Sequence, residues 1–139
     1  MLGFKCRGKQ LGSYNNGMWR YGCYVFSIGN QNAHCIIDEC GNSNSVDPKT
    51  IGFYPGMRDM NGVQICEHDI VRLIPDVCQT FFLPEYGVIE CSNGTFYIGK
   101  EHELRSSICC VADFNYVLRG EVIGNIFDNP ELVEKYNLQ

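Results

Sequence analysis

The chain has 139 residues, of which 45% are hydrophobic and 19% are charged, and its formal net charge is −5. A chain of this length can bury a core without disulfides or metals, and this composition excludes global disorder. No apolar run approaches the roughly 20 residues of a membrane-spanning helix, and residues 1–5 lack the apolar segment of a secretory signal. We therefore expect a cytoplasmic protein with no membrane partner.

The nine cysteines and eleven basic residues limit two further classes of function. An odd cysteine count in a cytosolic chain predicts reduced thiols that pack as small hydrophobes, with intermolecular disulfides as the alternative. The basic residues are scattered, and this disfavours sequence-independent binding to nucleic acid, which depends on phosphate neutralisation. A local basic patch is still compatible with this composition.

The N-terminal part reads as a small β unit. Asn16-Gly17 predicts a two-residue hairpin turn, because both residue types tolerate positive φ. In the strand that follows, Trp19, Tyr21 and Cys23 fall on one side together with Val25. Short strands are also predicted at 35–38 and 50–54. The loop 41–47 predicts a boundary between an N-terminal unit (1–47) and a C-terminal module (48–139).

The C-terminal module carries more β signals. Asn61-Gly62 and Asn93-Gly94 predict hairpins, the second with arms at 86–91 and 95–98. A β-branched strand is predicted from residue 69 until Pro75 stops it, and further strands at 108–112, 115–118 and 121–127. Short strands at this spacing favour a barrel or a sandwich.

One helix is predicted at the C-terminus. Asn129 can cap it, Pro130 suits its first position and Glu131 complements the positive end of its dipole. Leu132 and Tyr136 are four residues apart and share a face that can dock on the sheet.

Four motifs in order resemble the YopX-like family of phage proteins. The longest is the run 56–71, Gly-Met-Arg-Asp-Met-Asn-Gly-Val-Gln-Ile-Cys-Glu-His-Asp-Ile-Val, and the others lie at 4–9, 17–22 and 121–132. The resemblance covers nearly the whole chain. It implies a phage or prophage origin and an SH3-like barrel for residues 48–139, and it supplies no reaction. The structural positions it marks are Gly56, Asn61, Gly62, Asp69, Gly124, Asn125, Asn129 and Pro130.

The chain departs from the family pattern at His68, where the family has glycine. The glycine implies a tight turn with positive φ, and histidine is among the residue types that tolerate this conformation. We expect the carboxylate of Asp69 to accept hydrogen bonds from backbone amides in this turn.

Two kinds of reactive site were weighed and disfavoured. A zinc site could draw on His34, Cys35, Cys40, Cys66 and His68, but the Cys-x2-Cys pairs on which structural zinc sites are usually built are absent from the sequence. Cys109 and Cys110 would point to opposite faces of a strand, so they cannot act as a pair on one side. We therefore predict no catalytic residue, no metal and no cofactor.

The aromatic residues are expected mainly in the core. The exception is Phe81-Phe82-Leu83, an apolar triplet in the patternless loop 76–85 and the predicted partner-binding site.

The patterns predict a mainly β, non-enzymatic protein that acts by binding, and the resemblance implies an accessory protein of a phage or prophage in the host cytoplasm. A protein-interaction or assembly module that forms homo-oligomers fits the acidic charge and the apolar loop. A nucleic-acid-binding accessory protein is the alternative, and a metal-dependent or cysteine enzyme is a more distant one.

Overall fold

The computed structural model describes residues 6–26, 34–73, 85–92, 95–98, 106–107 and 120–138. It divides into two compact units, Met1–Tyr54 and Pro55–Gln139. Among the described residues, each unit contains a five-stranded antiparallel sheet, and one short α-helix lies near the C-terminus. The mainly β class predicted from the sequence is confirmed.

The first unit contains five strands and one short 3₁₀ helix. The strands are β1 (Cys6–Lys9), β2 (Trp19–Phe26), β3 (His34–Ile37), β4 (Ser43–Ser45) and β5 (Gly52–Phe53), with the 3₁₀ helix at Pro48–Thr50. Their order in the sheet is β4-β3-β2-β1-β5.

Strand β2 bends, and this bend curls the sheet. Its first half pairs with β1 (Cys6 opposite Gly22), and its second half pairs with β3 (Cys23 opposite Ile37). Gly22 lies at the change of partner with φ 155°, and a β-carbon there would collide with the carbonyl of Ile37. An antiparallel bridge between Gln10 and Val46 then brings the ends of β1 and β4 together.

The core of the first unit lies inside this curl. Cys6, Ile36 and Val46 are at most 1% exposed, and Tyr24 and Ile51 pack against them. Gly8 lies among them, and a β-carbon there would come within 3.2 Å of both Ile36 and Val46. The small residues of β1 therefore let the strand approach the opposite wall closely.

The prediction of a two-residue, type I′ hairpin turn at Asn16-Gly17 is wrong. Positive φ occurs at Asn15 (57°) and Gly17 (82°), whereas a type I′ turn would need it at Asn16. The two strands are joined by a longer loop, which closes where the N–H of Gln10 donates to the carbonyl of Met18 at 2.8 Å.

Residues 48–54 pack with the first unit, so the division falls seven residues after the predicted boundary. Asp47 caps the 3₁₀ helix by accepting a hydrogen bond from the N–H of Lys49. Strand β5 then pairs with β1, with Phe53 opposite Cys6. It is shorter than the strand predicted at 50–54, because the 3₁₀ helix occupies the first of those residues.

The second unit contains strands β6 to β10 and helix α1. They are β6 (Asp69–Leu73), β7 (Tyr86–Ser92), β8 (Thr95–Ile98), β9 (Ser106–Ser107), β10 (Gly120–Asn125) and α1 (Pro130–Lys135). The sheet order is β10-β6-β7-β8-β9. The predicted hairpin arms β7 and β8 are confirmed, with Ser92 opposite Thr95. The strands predicted at 108–112 and 115–118 lie outside the described residues, and the SH3-like barrel stays a prediction.

In the described part of the second unit, an apolar cluster lies on one face of the sheet. Its buried members are Met57, Ile65, Val71, Leu73, Ile89 and Ile98, and Phe96 and Val122 pack against them. Two of these members, Met57 and Ile65, precede the first strand of the sheet. The motif run 56–71 therefore supplies core side chains as well as turns.

The turn at 59–63 is closed by a buried carboxylate. Asp59 is 1% exposed. Its Oδ1 accepts hydrogen bonds from the N–H groups of Asn61 (2.8 Å) and Val63 (2.9 Å). Its Oδ2 accepts one from the N–H of Val122 in β10 at 2.9 Å. The same side chain therefore shapes the turn and attaches it to the sheet.

This turn contains Asn61-Gly62, and it is also not of type I′. Positive φ occurs at Gly62 alone (82°), and the N–H of Gly62 donates to the carbonyl of Asp59. Arg58 and Gln64 form an antiparallel bridge beyond it. This is a three-residue hairpin loop with glycine in the left-handed position.

The positive φ predicted at His68 is confirmed at 74°. Its N–H donates to the carbonyl of Ile89 at 2.7 Å, and its carbonyl accepts from the N–H of Ile126 at 3.1 Å. The hydrogen bond predicted for Asp69 is also present, since its Oδ2 accepts from the N–H of Cys66 at 2.8 Å. The turn therefore connects β7 to the end of β10.

Helix α1 begins at Pro130 as predicted, but Asn129 has a different role. In the described structure its side chain makes no capping hydrogen bond to the helix. Instead, its Oδ1 accepts a hydrogen bond from the N–H of Asn125 at 3.2 Å. A β-carbon at Gly124 would collide with that amide group. The helix docks through Tyr136, whose ring stacks on Tyr86 of β7 with centroids 3.8 Å apart.

We predict that Asp59→Asn lowers the free energy of unfolding by about 2–3 kcal/mol. The amide keeps one acceptor oxygen but directs a buried NH₂ group at backbone N–H groups, which leaves donors without acceptors. Urea unfolding followed by far-ultraviolet circular dichroism measures this loss. An unchanged unfolding midpoint would contradict the role assigned to the carboxylate.

Asp38→Asn is the matched control for this substitution. Asp38 Oδ1 also accepts from two backbone N–H groups, of Asn42 (2.9 Å) and Cys40 (3.0 Å), but at the surface. These hydrogen bonds, that of Asn42 first, lower the pKa of Asp38. Its contribution is therefore present above the ordinary carboxyl pKa and is lost as the pH falls. Because water can replace these contacts, the loss should be smaller than at Asp59.

A second prediction concerns His68. His68→Gly should leave the free energy of unfolding unchanged or raise it, since a β-carbon in the left-handed region costs about 1–2 kcal/mol. The substitution loses the edge contact of the imidazole with Phe127, whose centroid is 5.2 Å away. His68→Val should destabilise, because a β-branched residue disfavours this conformation. A clear loss of melting temperature in His68→Gly would refute this account of the turn.

Candidate functional site

The outer face of the first sheet is the candidate site. In β1, Cys6 and Gly8 are buried, so the alternate residues Arg7 and Lys9 lie on the opposite side of the strand. The register places Arg7 opposite Tyr21 on β2. We define the outer face as the side chains that share this side of β1, β2 and β3: Arg7, Lys9, Trp19, Tyr21, Cys23, Val25, Cys35 and Ile37.

Two cations lie against the indole of this face. The guanidinium carbon of Arg7 is 4.6 Å from the centroid of the Trp19 ring, and the ammonium of Lys9 is 5.3 Å from it. Both distances are within the range of cation–π attraction. Trp19 therefore holds two positive charges in place on a strand surface.

An apolar strip continues from this group along β2 and β3. Tyr21 is 37% exposed, Val25 is 38% exposed and Cys23 is exposed. Ile37 lies opposite Cys23 and Cys35 opposite Val25, so the strip extends across both strands. Extended apolar patches on a protein surface mark sites of interaction, so this strip is the candidate for one.

The two units differ in charge. Residues 1–54 carry five Lys and Arg and three Asp and Glu, a net charge of +2, while residues 55–139 carry six and thirteen, a net charge of −7. Together they give the −5 of the whole chain. The cations of the outer face thus belong to a unit that is not acidic, although the protein is.

An aromatic group lies on the other side of β2. Tyr24 Oη and His34 Nδ1 are 2.6 Å apart, a hydrogen bond across the β2–β3 pair. Phe26 packs at 5.2 Å from the His34 ring, and Phe53 meets the Tyr24 ring edge-on at 6.2 Å. These contacts connect β2 to β3 and to β5.

The histidines and cysteines weighed as metal ligands are divided between the units. His34, Cys35 and Cys40 belong to the first unit, and Cys66 and His68 to the second. Within the described ranges, no three His, Cys, Asp or Glu side chains lie close enough together to hold a metal ion. Cys109 and Cys110 lie outside the described residues.

The cysteines that the structure describes are all free thiols in different surroundings. Cys6 and Cys66 are fully buried, whereas Cys23 and Cys40 are exposed. Burial, with a smaller effect of Cys23, raises the pKa of Cys6 to about 11. A buried thiol that stays protonated at neutral pH is an inert core residue.

The predicted partner site, Phe81-Phe82-Leu83, lies outside the described residues. The sequence predicted the part of the outer face that lies on β2, but not the part that lies on β1. Strand alternation grouped Trp19, Tyr21, Cys23 and Val25, but the cations on β1 were missed because their position depends on the register between strands.

The fold and this surface define a mainly β protein of two antiparallel sheets with an exposed aromatic and cationic strand face. Residues 13–134 match the YopX protein family, and the chain belongs to that family. A search of curated proteins found no significant match. In the part of the chain that the structure covers, no helix is long and apolar enough to cross a membrane.

We predict that native alkylation separates these thiols. With iodoacetamide at pH 8, Cys23 and Cys40 should be modified first and Cys6 and Cys66 last, since only exposed thiolates react. Peptide mass spectrometry against time measures the order, with the urea-unfolded protein as the control in which all react. Early modification of Cys6 would contradict its burial.

Proposed function

We propose that this protein is a non-enzymatic binding protein that contacts a protein partner through the outer face. The exposed Tyr21 and Val25 beside the fixed Arg7–Trp19 pair carry this proposal. Trp, Tyr and Arg dominate the binding energy of protein interfaces, and apolar neighbours exclude water around them. A sheet face also offers its side chains with little loss of conformational entropy on binding.

Membership of the YopX family supports a proposal about the biological setting in which the protein acts. On the sequence resemblance we propose an accessory role for a bacteriophage or prophage, in the cytoplasm of the bacterial host, with self-association as part of it. The SH3-like barrel remains our proposal for the architecture of residues 48–139.

An affinity pull-down from the bacterial host tests the surface. Tyr21→Ser with Val25→Ser should lower recovery of the specific partner at least about tenfold, as the loss of a binding hot spot does. Tyr14→Ser is the matched control, because Tyr14 lies in the β1–β2 loop and is 85% exposed. Circular dichroism verifies that each variant is folded.

Equal recovery by the wild type and the double variant would contradict the assignment of the surface. Stoichiometric zinc in the purified protein after soaking would contradict the prediction of no metal and would raise a metal-dependent enzyme above its present rank.

A nucleic-acid-binding role is the second candidate, and one observation favours it. Arg7 and Lys9 lie beside Trp19 and Tyr21, and cations next to aromatic rings are the elements that bind single strands. Gel shifts with DNA and RNA oligonucleotides at low and moderate salt decide between the candidates. Absent or entirely non-specific retardation removes the second one.

A further inference from the structure

We propose that the outer face of one copy binds the second unit of another copy, in a head-to-tail contact. This inference rests on the proposed function, because it uses the same binding surface and names its partner. The partner is identified by charge, since the chain itself carries a surface of opposite sign.

The charge difference between the units supplies the attraction. The first unit has a net charge of +2 and the second −7. Charge complementarity steers association and fixes the register of an interface. The cations that meet the partner would be Arg7 and Lys9, already held against Trp19.

The described residues of the second unit offer a matching acidic surface. Glu85, Glu131 and Glu134 are exposed. Glu85 precedes Tyr86, and Glu134 lies two residues before Tyr136, whose ring stacks on that of Tyr86. Of the nearby cations, Arg72 pairs with Glu121 at 3.7 Å, and the ammonium of Lys135 lies 5.2 Å from the ring of Tyr136.

The same charges argue against a symmetric contact between two outer faces. A two-fold contact brings the same patch of both copies together, so Arg7 and Lys9 would face their own equivalents. Like charges that face each other in an interface repel and disfavour the wrong pairing. A contact between different surfaces avoids this repulsion.

Light scattering after size exclusion gives the first test. The mean mass of the wild type should rise above that of the monomer between about 10 μM and about 1 mM protein at low salt. Raising sodium chloride from about 50 mM to about 500 mM should weaken association by about tenfold, since it screens the charges. Wild type that stays monomeric throughout overturns the inference.

Mixing two variants gives the second test, which distinguishes head-to-tail from symmetric contact. One variant, Lys9→Gln with Tyr21→Ser, has an altered outer face and an intact acidic surface. The other, Glu85→Gln with Glu134→Gln, has the reverse. Each alone should be monomeric, and an equimolar mixture should form one-to-one dimers. Circular dichroism verifies that both are folded.

A mixture that stays monomeric while the wild type associates overturns the head-to-tail geometry. Retardation of an oligonucleotide by a wild type that stays monomeric would assign the face to nucleic acid and overturn the inference as well. The host pull-down is read separately: a partner lost only with the outer-face variant supports the proposed function even where self-association fails.

Discussion

The buried carboxylate of Asp59 is the contact on which the second unit depends. It accepts three backbone hydrogen bonds, and one of them comes from Val122, 63 residues away in the sequence. The N–H of Met60 donates to the carbonyl of Gly120 at the same place. Without these donors the buried carboxylate would be an uncompensated charge, and the turn 59–63 would separate from strand β10. The turn 59–63 therefore connects two segments that are distant in the sequence, the run 56–71 and strand β10.

Some features that depend on neighbours in sequence were predictable, although the types of the turns at Asn16-Gly17 and Asn61-Gly62 were not. The hydrogen bond of Asp69 and the start of helix α1 at Pro130 were predicted from the residues themselves. The left-handed conformation of His68 was predicted from the glycine that the family has at that position. Features that depend on how other parts of the chain pack were not predictable. Asn129 has the chemistry of a helix cap, but the close approach of Gly124 directs its amide to Asn125. Likewise, the pairing of β5 with β1 moves the division of the chain to residue 54.

The candidate site shows the same limit. Alternation along β2 places Trp19 and Tyr21 on one side, and a sequence reveals this directly. The partners of Trp19 come from β1, and their identity depends on a register in which Lys9 lies opposite Trp19. A shift by one residue would present Gly8 and Cys6 instead and remove both cations from the face. The charge of the outer face therefore depends on how β1 pairs with β2, and the amino-acid composition does not reveal it.

On the proposed function, the two parts of the chain divide stability and recognition between them. In the run 56–71, four residues shape the turns. Gly62 and His68 adopt positive φ, and the carboxylates of Asp59 and Asp69 accept hydrogen bonds from backbone N–H groups of their turns. Substitutions there change the free energy of unfolding. Tyr21 and Val25 are more than a third exposed, so their replacement removes contact area for a partner and little core packing. The family match spans residues 13–134, which includes Trp19 and Tyr21 but not Arg7 and Lys9. The aromatic part of the outer face lies inside the matched span, whereas its cations lie in the family-like motif at 4–9, which precedes that span.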